Sequence, residues 1–143
     1  MPETGTDAER REANKAMIRD LFTRYHEIVT RDLDELRPYY TDDTVLDLPQ
    51  LGTHLEGIDA TLKMAAMIGR TFSAWRQVNF RFHDAVDPDE MIWEADADGT
   101  YADDGTTYEQ TYVLFLKLRD GRIAHHTEYV DTRRLAKFPP SSR

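Results

Sequence analysis

The 143-residue chain contains no cysteine, which excludes disulfides, thiolate nucleophiles, iron–sulfur ligation and cysteine-based zinc sites. The sequence also lacks a Gly-rich phosphate-binding loop, a GxSxG nucleophile elbow and an HExxH zinc-binding helix. These absences argue against nucleotide-dependent enzymes, serine hydrolases and zinc proteases. Any chemistry must therefore use carboxylates, imidazoles, phenols or hydroxyls.

Positive charge is scarce, with 18 Lys and Arg residues against 27 Asp and Glu residues and a formal net charge of −9. Such a chain repels phosphate backbones and anionic membranes. No apolar run approaches the ~20 residues that span a bilayer, and the N-terminal segment lacks the basic and then apolar pattern of a secretory signal. We expect no nucleic-acid or membrane partner, and a cytoplasmic location.

The composition is that of one soluble domain, with 40% hydrophobic and 31% charged residues. We expect residues 8–134 to form this domain. The polar residues 1–7 are predicted to be a disordered arm, and residues 135–143, which include two consecutive prolines, a loose tail.

The first half of the sequence predicts three helices. A long amphipathic helix is expected over residues 8–30, because apolar residues recur there at spacings of four and three: Ala13, Met17, Leu21, Tyr25 and Ile28. A short second helix follows Asp32, which has Glu35 three residues later, as in a helix N-cap, and Pro38 limits its length.

The segment between the second and third helices is predicted to be mostly irregular. We expect a turn over residues 38–43, a brief strand over 45–48 and another irregular stretch between Gly52 and Gly57. Asp59 is the expected N-cap of a third helix over residues 60–72.

From Trp75 onward the pattern changes to a period of two, which indicates strands. Val78, Phe80 and Phe82 are expected on the buried face of the first strand, and further strands are predicted over residues 91–101, 108–118 and 123–131. The order predicts an α+β fold, a conical α+β barrel in which three N-terminal helices pack on the concave face of a strongly curved antiparallel sheet. A ligand would enter at the mouth of the cone.

The last strand contains the most informative residues, because His126 and Glu128 lie two positions apart and so share one face. A three-residue turn over residues 119–121 would place Glu128 opposite Tyr112 and His126 opposite Leu114. A two-residue turn would instead place Glu128 opposite Val113. We take the face with Tyr112 and Leu114 as interior, since it is the more apolar one. The alternative is an ordinary solvent-facing strand.

A carboxyl group held against Tyr and Leu side chains loses hydration and can serve as a general acid or base near neutral pH. The catalytic candidates are therefore Glu128, His126 and Tyr112. Aromatic, methionine and other side chains are expected to contact a substrate: Tyr25, Tyr40, Met64, Met67, Phe72, Trp75, Phe80, Leu114 and Asp96.

Asp96 also belongs to an acidic stripe with Glu94 and Asp98, which either faces water or holds a cation. The spacing of these carboxylates matches no recognised metal-binding loop. We therefore expect neither a metal nor a cofactor.

Several motifs resemble the nuclear-transport-factor-like cone fold, and within it the SnoaL-type polyketide cyclases and the phenazine-biosynthesis A/B-type proteins. The resemblance covers residues 13–132. It rests on the helix with Leu21, Phe22 and Tyr25 and on four further segments: Tyr39-Tyr40-Thr41-Asp42-Asp43, Gly57-Ile58-Asp59, Asp120-Gly121-Arg122-Ile123 and Glu128-Tyr129-Val130-Asp131. The likeness to the phenazine type also rests on Asp87-Pro88, Trp93-Glu94-Ala95-Asp96 with Gly99, and Tyr108-Glu109-Gln110. It implies that Glu128 is the acid/base glutamate of the phenazine type. A histidine of that type is replaced by Met64 in this chain.

The resemblance further implies a homodimer formed through the outer sheet face, with Trp93 or the alternate face of the longest strand supplying the apolar patch. The function that we expect is a cofactor-independent cyclase or isomerase of natural-product biosynthesis. It would close a ring, by a [4+2] or an aldol reaction, on an apolar, conjugated, polyketide-like substrate. The alternatives are a phenazine-type condensation or dehydration enzyme and a non-catalytic small-molecule-binding subunit.

Overall fold

The structure is a computed structural model that describes residues 6–135. Its two α-helices are α1 (Asp7–Arg31) and α2 (Ile58–Thr71). Its six strands are β1 (Tyr40–Leu48), β2 (Thr53–Glu56), β3 (Phe72–Asp84), β4 (Glu90–Tyr101), β5 (Thr107–Arg119) and β6 (Arg122–Val130). Short 3-10 helices cover Leu33–Tyr39, Pro49–Leu51 and Thr132–Arg134. The expected arm over residues 1–7 and tail over residues 135–143 lie largely outside the described residues.

The strands form one sheet in the order β2-β1-β6-β5-β4-β3. Neighbouring strands are antiparallel except β1 and β6, which are parallel. Helices α1 and α2, with the 3-10 helix Leu33–Tyr39, pack on the concave side of this curved sheet. The predicted α+β cone fold is confirmed.

Helix α1 begins where a capping box predicts a helix start: the Thr6 side chain accepts a hydrogen bond from the Glu9 amide, and the Glu9 carboxylate accepts one from the Thr6 amide. Leu21, Tyr25 and Ile28 of its predicted apolar stripe are buried, whereas Met17 is only partly buried and Ala13 is exposed, and the helix packs mainly on β3. Within residues 6–135, no helix combines the length and the apolar character needed to cross a membrane.

The other two predicted helices are also present, the second with the predicted N-cap and the third with a different one. The second is a 3-10 helix whose N-cap, Asp32, accepts from the amide of Asp34. Helix α2 begins two residues earlier than expected, and its N-cap is Gly57 rather than Asp59. Gly57 has a φ of 90°, a conformation that glycine adopts at little steric cost.

The brief strand predicted over residues 45–48 is present as the second half of β1, whereas the predicted turn over 38–43 and the irregular stretch between Gly52 and Gly57 are wrong, because they contain the start of β1 and the whole of β2. The polar residues Asp42 and Asp43 suggest a turn, but β1 continues through them and pairs with both β2 and β6. Strand pairing over a long sequence distance outweighs local turn preference here. The sheet therefore has six strands where the sequence predicts five, one brief strand and a four-strand meander.

A bulge in β3 changes which of its residues face inward. Asn79 has a φ of 56°, and the register shifts between Val78 and Arg81. Before the bulge Gln77 is buried and accepts a hydrogen bond from the Trp93 indole at 3.0 Å. Val78 consequently faces outward, contrary to prediction, whereas Phe80 and Phe82 beyond the bulge face inward as expected.

Trp93 is fully buried, so it cannot supply the outer apolar patch expected for a dimer. The outer face instead exposes Phe115 of β5 and Tyr129 of β6, whose rings meet edge to face with centroids 6.1 Å apart. Phe115 belongs to the alternate face of β5, the other source of the apolar patch that was predicted, whereas Tyr129 of β6 was not predicted to contribute.

The β5–β6 hairpin turns through two residues, Asp120 and Gly121, both with positive φ. The predicted three-residue turn is therefore wrong. An irregularity between Lys117 and Leu118 leaves one extra residue, Ala124, in β6, so Glu128 lies opposite Leu114 rather than opposite Tyr112 or Val113. The extra residue returns His126 and Glu128 to the interior face.

Candidate functional site

The cone contains a cavity between the two helices and the inner face of the sheet. Its volume is about 90 Å³, enough for several waters or a small organic group, since one water needs about 10–15 Å³ of such space. The walls are mainly apolar, and the exposed Gln50 and Leu51 lie at one end. Residues of β1, β3, β5, β6, α1 and α2 all contribute to the lining.

The most reactive groups of the cavity are His126 and Glu128 on β6. Nε2 of His126 lies 3.0 Å from Oε1 of Glu128, and the two side chains are 7% and 20% exposed. In the tautomer that carries hydrogen on Nε2, the imidazole donates to the carboxylate. The Phe22 ring contacts the imidazole edge to face, so the pair sits among apolar groups. A buried, hydrogen-bonded pair of this kind can take up and return a proton.

Four tyrosines line the cavity around this pair: Tyr25, Tyr40, Tyr108 and Tyr112. Burial raises the pKa of Tyr108 to about 12 and raises the pKa of the other three phenols as well, and the nearby Glu128 carboxylate adds to each shift. All four therefore stay protonated at neutral pH and can donate hydrogen bonds. The hydroxyls of Tyr108 and Tyr112 lie 3.3 Å apart.

The apolar wall combines one side of α2 with an aromatic group from the sheet. Met64 and Ile68 of α2 line the cavity with Phe72 and Trp75 of β3. Trp75 packs edge to face on Tyr25 and on Tyr112, with centroids 5.6 Å and 6.2 Å apart. These contacts hold the phenols in place next to a thioether and an isoleucine, a surface that suits a flat apolar ligand.

Eight residues predicted for the site lie together at this cavity: Glu128, His126, Tyr112, Tyr25, Tyr40, Met64, Phe72 and Trp75. Leu114 does not line it, because this residue is the fully buried strand partner of Glu128 in the core. Met67 is also outside the lining, on the flank of α2 beside the row that contains Met64 and Ile68.

Phe80 and Asp96 were predicted to touch the substrate and do not line the cavity. Phe80 lies beyond the bulge in β3 and stacks on Phe82, with centroids 6.0 Å apart. Asp96 faces outward, where it accepts a hydrogen bond from the Asn79 amide at 3.0 Å and lies 3.6 Å from Arg81. The whole acidic stripe is on this outer face, and residues 6–135 contain no group of three or more His, Asp or Glu side chains placed to hold a metal.

Sequence reasoning missed four polar residues of the lining: Thr44 of β1, Gln50, Thr61 of α2 and Tyr108 of β5. The predicted turn over residues 38–43 hid the alternation that places Thr44 on the same face as Leu46. Thr61 precedes Met64 by three residues, so helix periodicity alone predicts that the two share a face.

The sequence of residues 18–126 matches the model of the SnoaL-like domain. This chain belongs to the SnoaL-like family. The predicted resemblance is therefore confirmed at the level of the family. No curated protein matches the sequence.

Solved structures share the fold at low sequence identity. A phenazine biosynthesis-related protein of Pseudomonas aeruginosa is 18% identical, with a TM-score of 0.70 over 92% of this chain and 87% of that chain. A Xanthomonas campestris protein provisionally named a polyketide cyclase is 19% identical, with a TM-score of 0.72 over 90% and 95%. A Bacillus subtilis protein provisionally named an isomerase is 17% identical, with a TM-score of 0.73 over 96% and 98%.

Proposed function

We propose that this SnoaL-like protein is a cofactor-independent cyclase or isomerase that moves a proton on an apolar carbonyl compound held in the cone. The observation that carries the proposal is the hydrogen-bonded His126–Glu128 pair in an apolar cavity. Names of proteins with the same fold include polyketide cyclase and isomerase, which agrees with this reaction class.

In the proposed reaction, Glu128 as a carboxylate removes a proton from the carbon next to a substrate carbonyl. The electron pair of the broken C–H bond forms an enolate, and a protonated phenol such as Tyr112 donates a hydrogen bond to its oxygen. His126 keeps its hydrogen bond to Glu128 and orients the carboxylate.

Two outcomes follow from the enolate, and both balance without a further reactant. In an isomerase, protonated Glu128 returns the proton to a different carbon of the conjugated system. In an aldol cyclase, the enolate carbon bonds to a second carbonyl carbon of the same substrate, and protonated Glu128 delivers its proton to the resulting alkoxide. The cavity favours ring closure by holding the chain in a folded conformation.

Two features of the chain favour proton transfer over a [4+2] closure and over a phenazine-type condensation. A [4+2] closure needs no acid or base, whereas this cavity contains a hydrogen-bonded acid–imidazole pair. A phenazine-type condensation uses a histidine where this chain has Met64, and a thioether transfers no proton.

Proton exchange on a simple ketone tests the proposal without knowledge of the natural substrate. We would incubate the protein with 2-tetralone in D₂O and follow the loss of the α-proton NMR signals. Wild type is expected to accelerate exchange, and Glu128→Gln to reduce the acceleration by about 10²–10⁴-fold, the usual contribution of a general base.

Glu128→Gln keeps the size and shape of the side chain, so circular dichroism and thermal melting should match wild type. Equal exchange rates for folded wild type and folded Glu128→Gln would exclude Glu128 as the base. Tight binding of 2-tetralone without faster exchange would instead favour the non-catalytic binding subunit.

The assembly proposal rests on a separate surface. Phe115 and Tyr129 on the outer face fit a homodimer, and light scattering of wild type against Phe115→Lys tests it. A wild-type mass of one chain would contradict the dimer.

A further inference from the structure

Two buried hydroxyls of the cavity, on Thr44 and Thr61, have no hydrogen-bond partner among the protein atoms of residues 6–135. Both residues line the cavity, and they are only 1% and 5% exposed. Buried polar groups in folded proteins are almost always hydrogen-bonded, so two unpaired hydroxyls in one cavity need an explanation.

Three other buried or helical threonines of this protein, Thr30, Thr41 and Thr71, are paired in the ordinary way. Thr30 and Thr71 donate to the carbonyls four residues earlier in their helices, each at 2.8 Å. Thr41, on the same strand as Thr44, donates to the carbonyl of Ile123 at 3.4 Å. Thr61 does not make the equivalent bond to Gly57 within its helix, so its hydroxyl is left for another partner.

Backbone bonds bring the two hydroxyls to the same end of the cavity. The Gly57 amide donates to the carbonyl of Thr44 at 2.8 Å, and the Thr61 amide donates to the carbonyl of Gly57 at 3.3 Å. The first turn of α2 is therefore fastened to β1 at Thr44.

This end is distant from Glu128. Leu46 of β1 is the register partner of His126, Thr44 lies two residues before Leu46, and Glu128 lies two residues beyond His126. The backbone positions of Thr44 and Glu128 are therefore four residue steps apart along the parallel strands, or roughly 13 Å. The exposed Gln50 and Leu51 belong to the side of Glu128, since Gln50 accepts from the amide of Val130.

We propose that Thr44 and Thr61 bind an oxygen atom of the substrate, a carbonyl or a hydroxyl, at the end of the cavity away from Glu128. Each hydroxyl has one hydrogen to donate and lone pairs to accept, so either kind of oxygen fits. The substrate class is then an elongated apolar molecule with oxygen functions near both ends. The inference rests on the proposed function only in taking the cavity as the substrate site.

The test compares two probes of nearly equal size, phenol and toluene, by NMR titration of the Met64 methyl signal. The quantity measured is the ratio of the toluene Kd to the phenol Kd. In the double variant Thr44→Val and Thr61→Val, which replaces each hydroxyl by a methyl group, this ratio is expected to fall about tenfold. A ratio within twofold of wild type would overturn the inference.

A second readout is independent of binding. Because the hydroxyls are unpaired, their replacement by methyl groups should leave the urea midpoint of the double variant at or above that of wild type. A lower midpoint would mean that the hydroxyls have protein partners, and would also overturn the inference.

Thr41→Val is the matched control, because it removes a buried hydroxyl that is paired. It should lower the urea midpoint and leave the probe ratio unchanged. A change in the ratio as large as that of the double variant would count against the proposed pair. Since the test measures binding, its outcome is separate from that of the proton-exchange experiment.

Discussion

Two of the histidine–glutamate pairs of the sheet, His83–Glu94 on the outer face and His126–Glu128 on the inner face, differ in surroundings rather than in chemistry. On the outer face, Nε2 of His83 lies 2.8 Å from Oε2 of Glu94, and the side chains are 55% and 39% exposed. On the inner face, the His126–Glu128 pair has a similar distance of 3.0 Å, but its side chains are 7% and 20% exposed. Water and salt screen the outer pair, whereas the inner pair acts on whatever shares its cavity.

The neighbours of the two pairs reinforce this difference. Glu94 and Asp96 lie 3.8 Å and 3.6 Å from Arg81, as part of a charged outer surface. Exposed ion pairs of this kind contribute only about 0–1 kcal/mol each. The inner pair is surrounded by aromatic rings and protonated phenols, so the inner face holds most of the core and all of the candidate chemistry.

The largest difference between the faces is expected for aromatic truncation. Trp93→Ala removes a fully buried inner side chain and its hydrogen bond to Gln77, and should lower the free energy of unfolding by about 3–5 kcal/mol. Phe115→Ala, on the outer face, should lower it by less than about 1 kcal/mol. Urea unfolding measures both, and similar losses for the two variants would contradict the assignment of the faces.

A smaller effect is expected at the bulge that assigns residues of β3 to the two faces. Asn79→Ala places a side chain with little tolerance for positive φ at a φ of 56°, and should cost about 1 kcal/mol. Asn79→Gly is the control, since glycine adopts this conformation freely and should remain close to wild type. If both variants lose the same stability in urea, the hydrogen bond to Asp96 matters more than the backbone.

The smallest effect is expected from the charges at the other edge of the outer face. Hydrogen bonds to Glu56 and Asp47 raise the pKa of His54 above 6.5, and the hydrogen bond from His54, then that from His125, lowers the pKa of Asp47 below 3.8. The raised histidine pKa stabilises the fold below about pH 6.5, and this stability is lost as the pH rises through the folded value. The lowered pKa of Asp47 stabilises the fold above about pH 3.8, and this stabilisation is lost as the pH falls through the folded value.

His54→Gln should therefore lower the melting temperature slightly at about pH 5.5 and leave it unchanged at about pH 9. Thermal melts at both pH values check this expectation. A larger loss at the higher pH would contradict the sign of the shift.

Local patterns predicted the parts of the fold that local physics decides. Apolar spacing predicted α1, and alternation predicted β4 and β5, because each element buries one face along its whole length. The first half of β1 and the whole of β2 were missed, since their polar residues become strand only by pairing with distant segments. The irregularities at Asn79 and between Lys117 and Leu118 have no periodic signal, so the face on which Gln77 lies and the strand partner of Glu128 were predicted wrongly.

The candidate site was predictable to a similar extent. His126 and Glu128 were assigned to the interior through an incorrect turn, and the extra residue in β6 made the conclusion right for a different reason. Asp96 was predicted to contact the substrate but faces outward. Its strand, β4, was predicted correctly, but which face of β4 points inward depends on the neighbouring strands β3 and β5. Thr44 was missed because it precedes the strand predicted over residues 45–48, although β1 begins at Tyr40.

The most direct test of the account replaces the two glutamates in turn and measures 2-tetralone exchange for each variant. Glu128→Gln and Glu94→Gln make the same chemical change to two histidine-bonded carboxylates on opposite faces of one sheet. The account predicts that Glu128→Gln loses at least about 100-fold of the acceleration and that Glu94→Gln stays within about twofold of wild type. Equal losses, or a larger loss for Glu94→Gln, would contradict it.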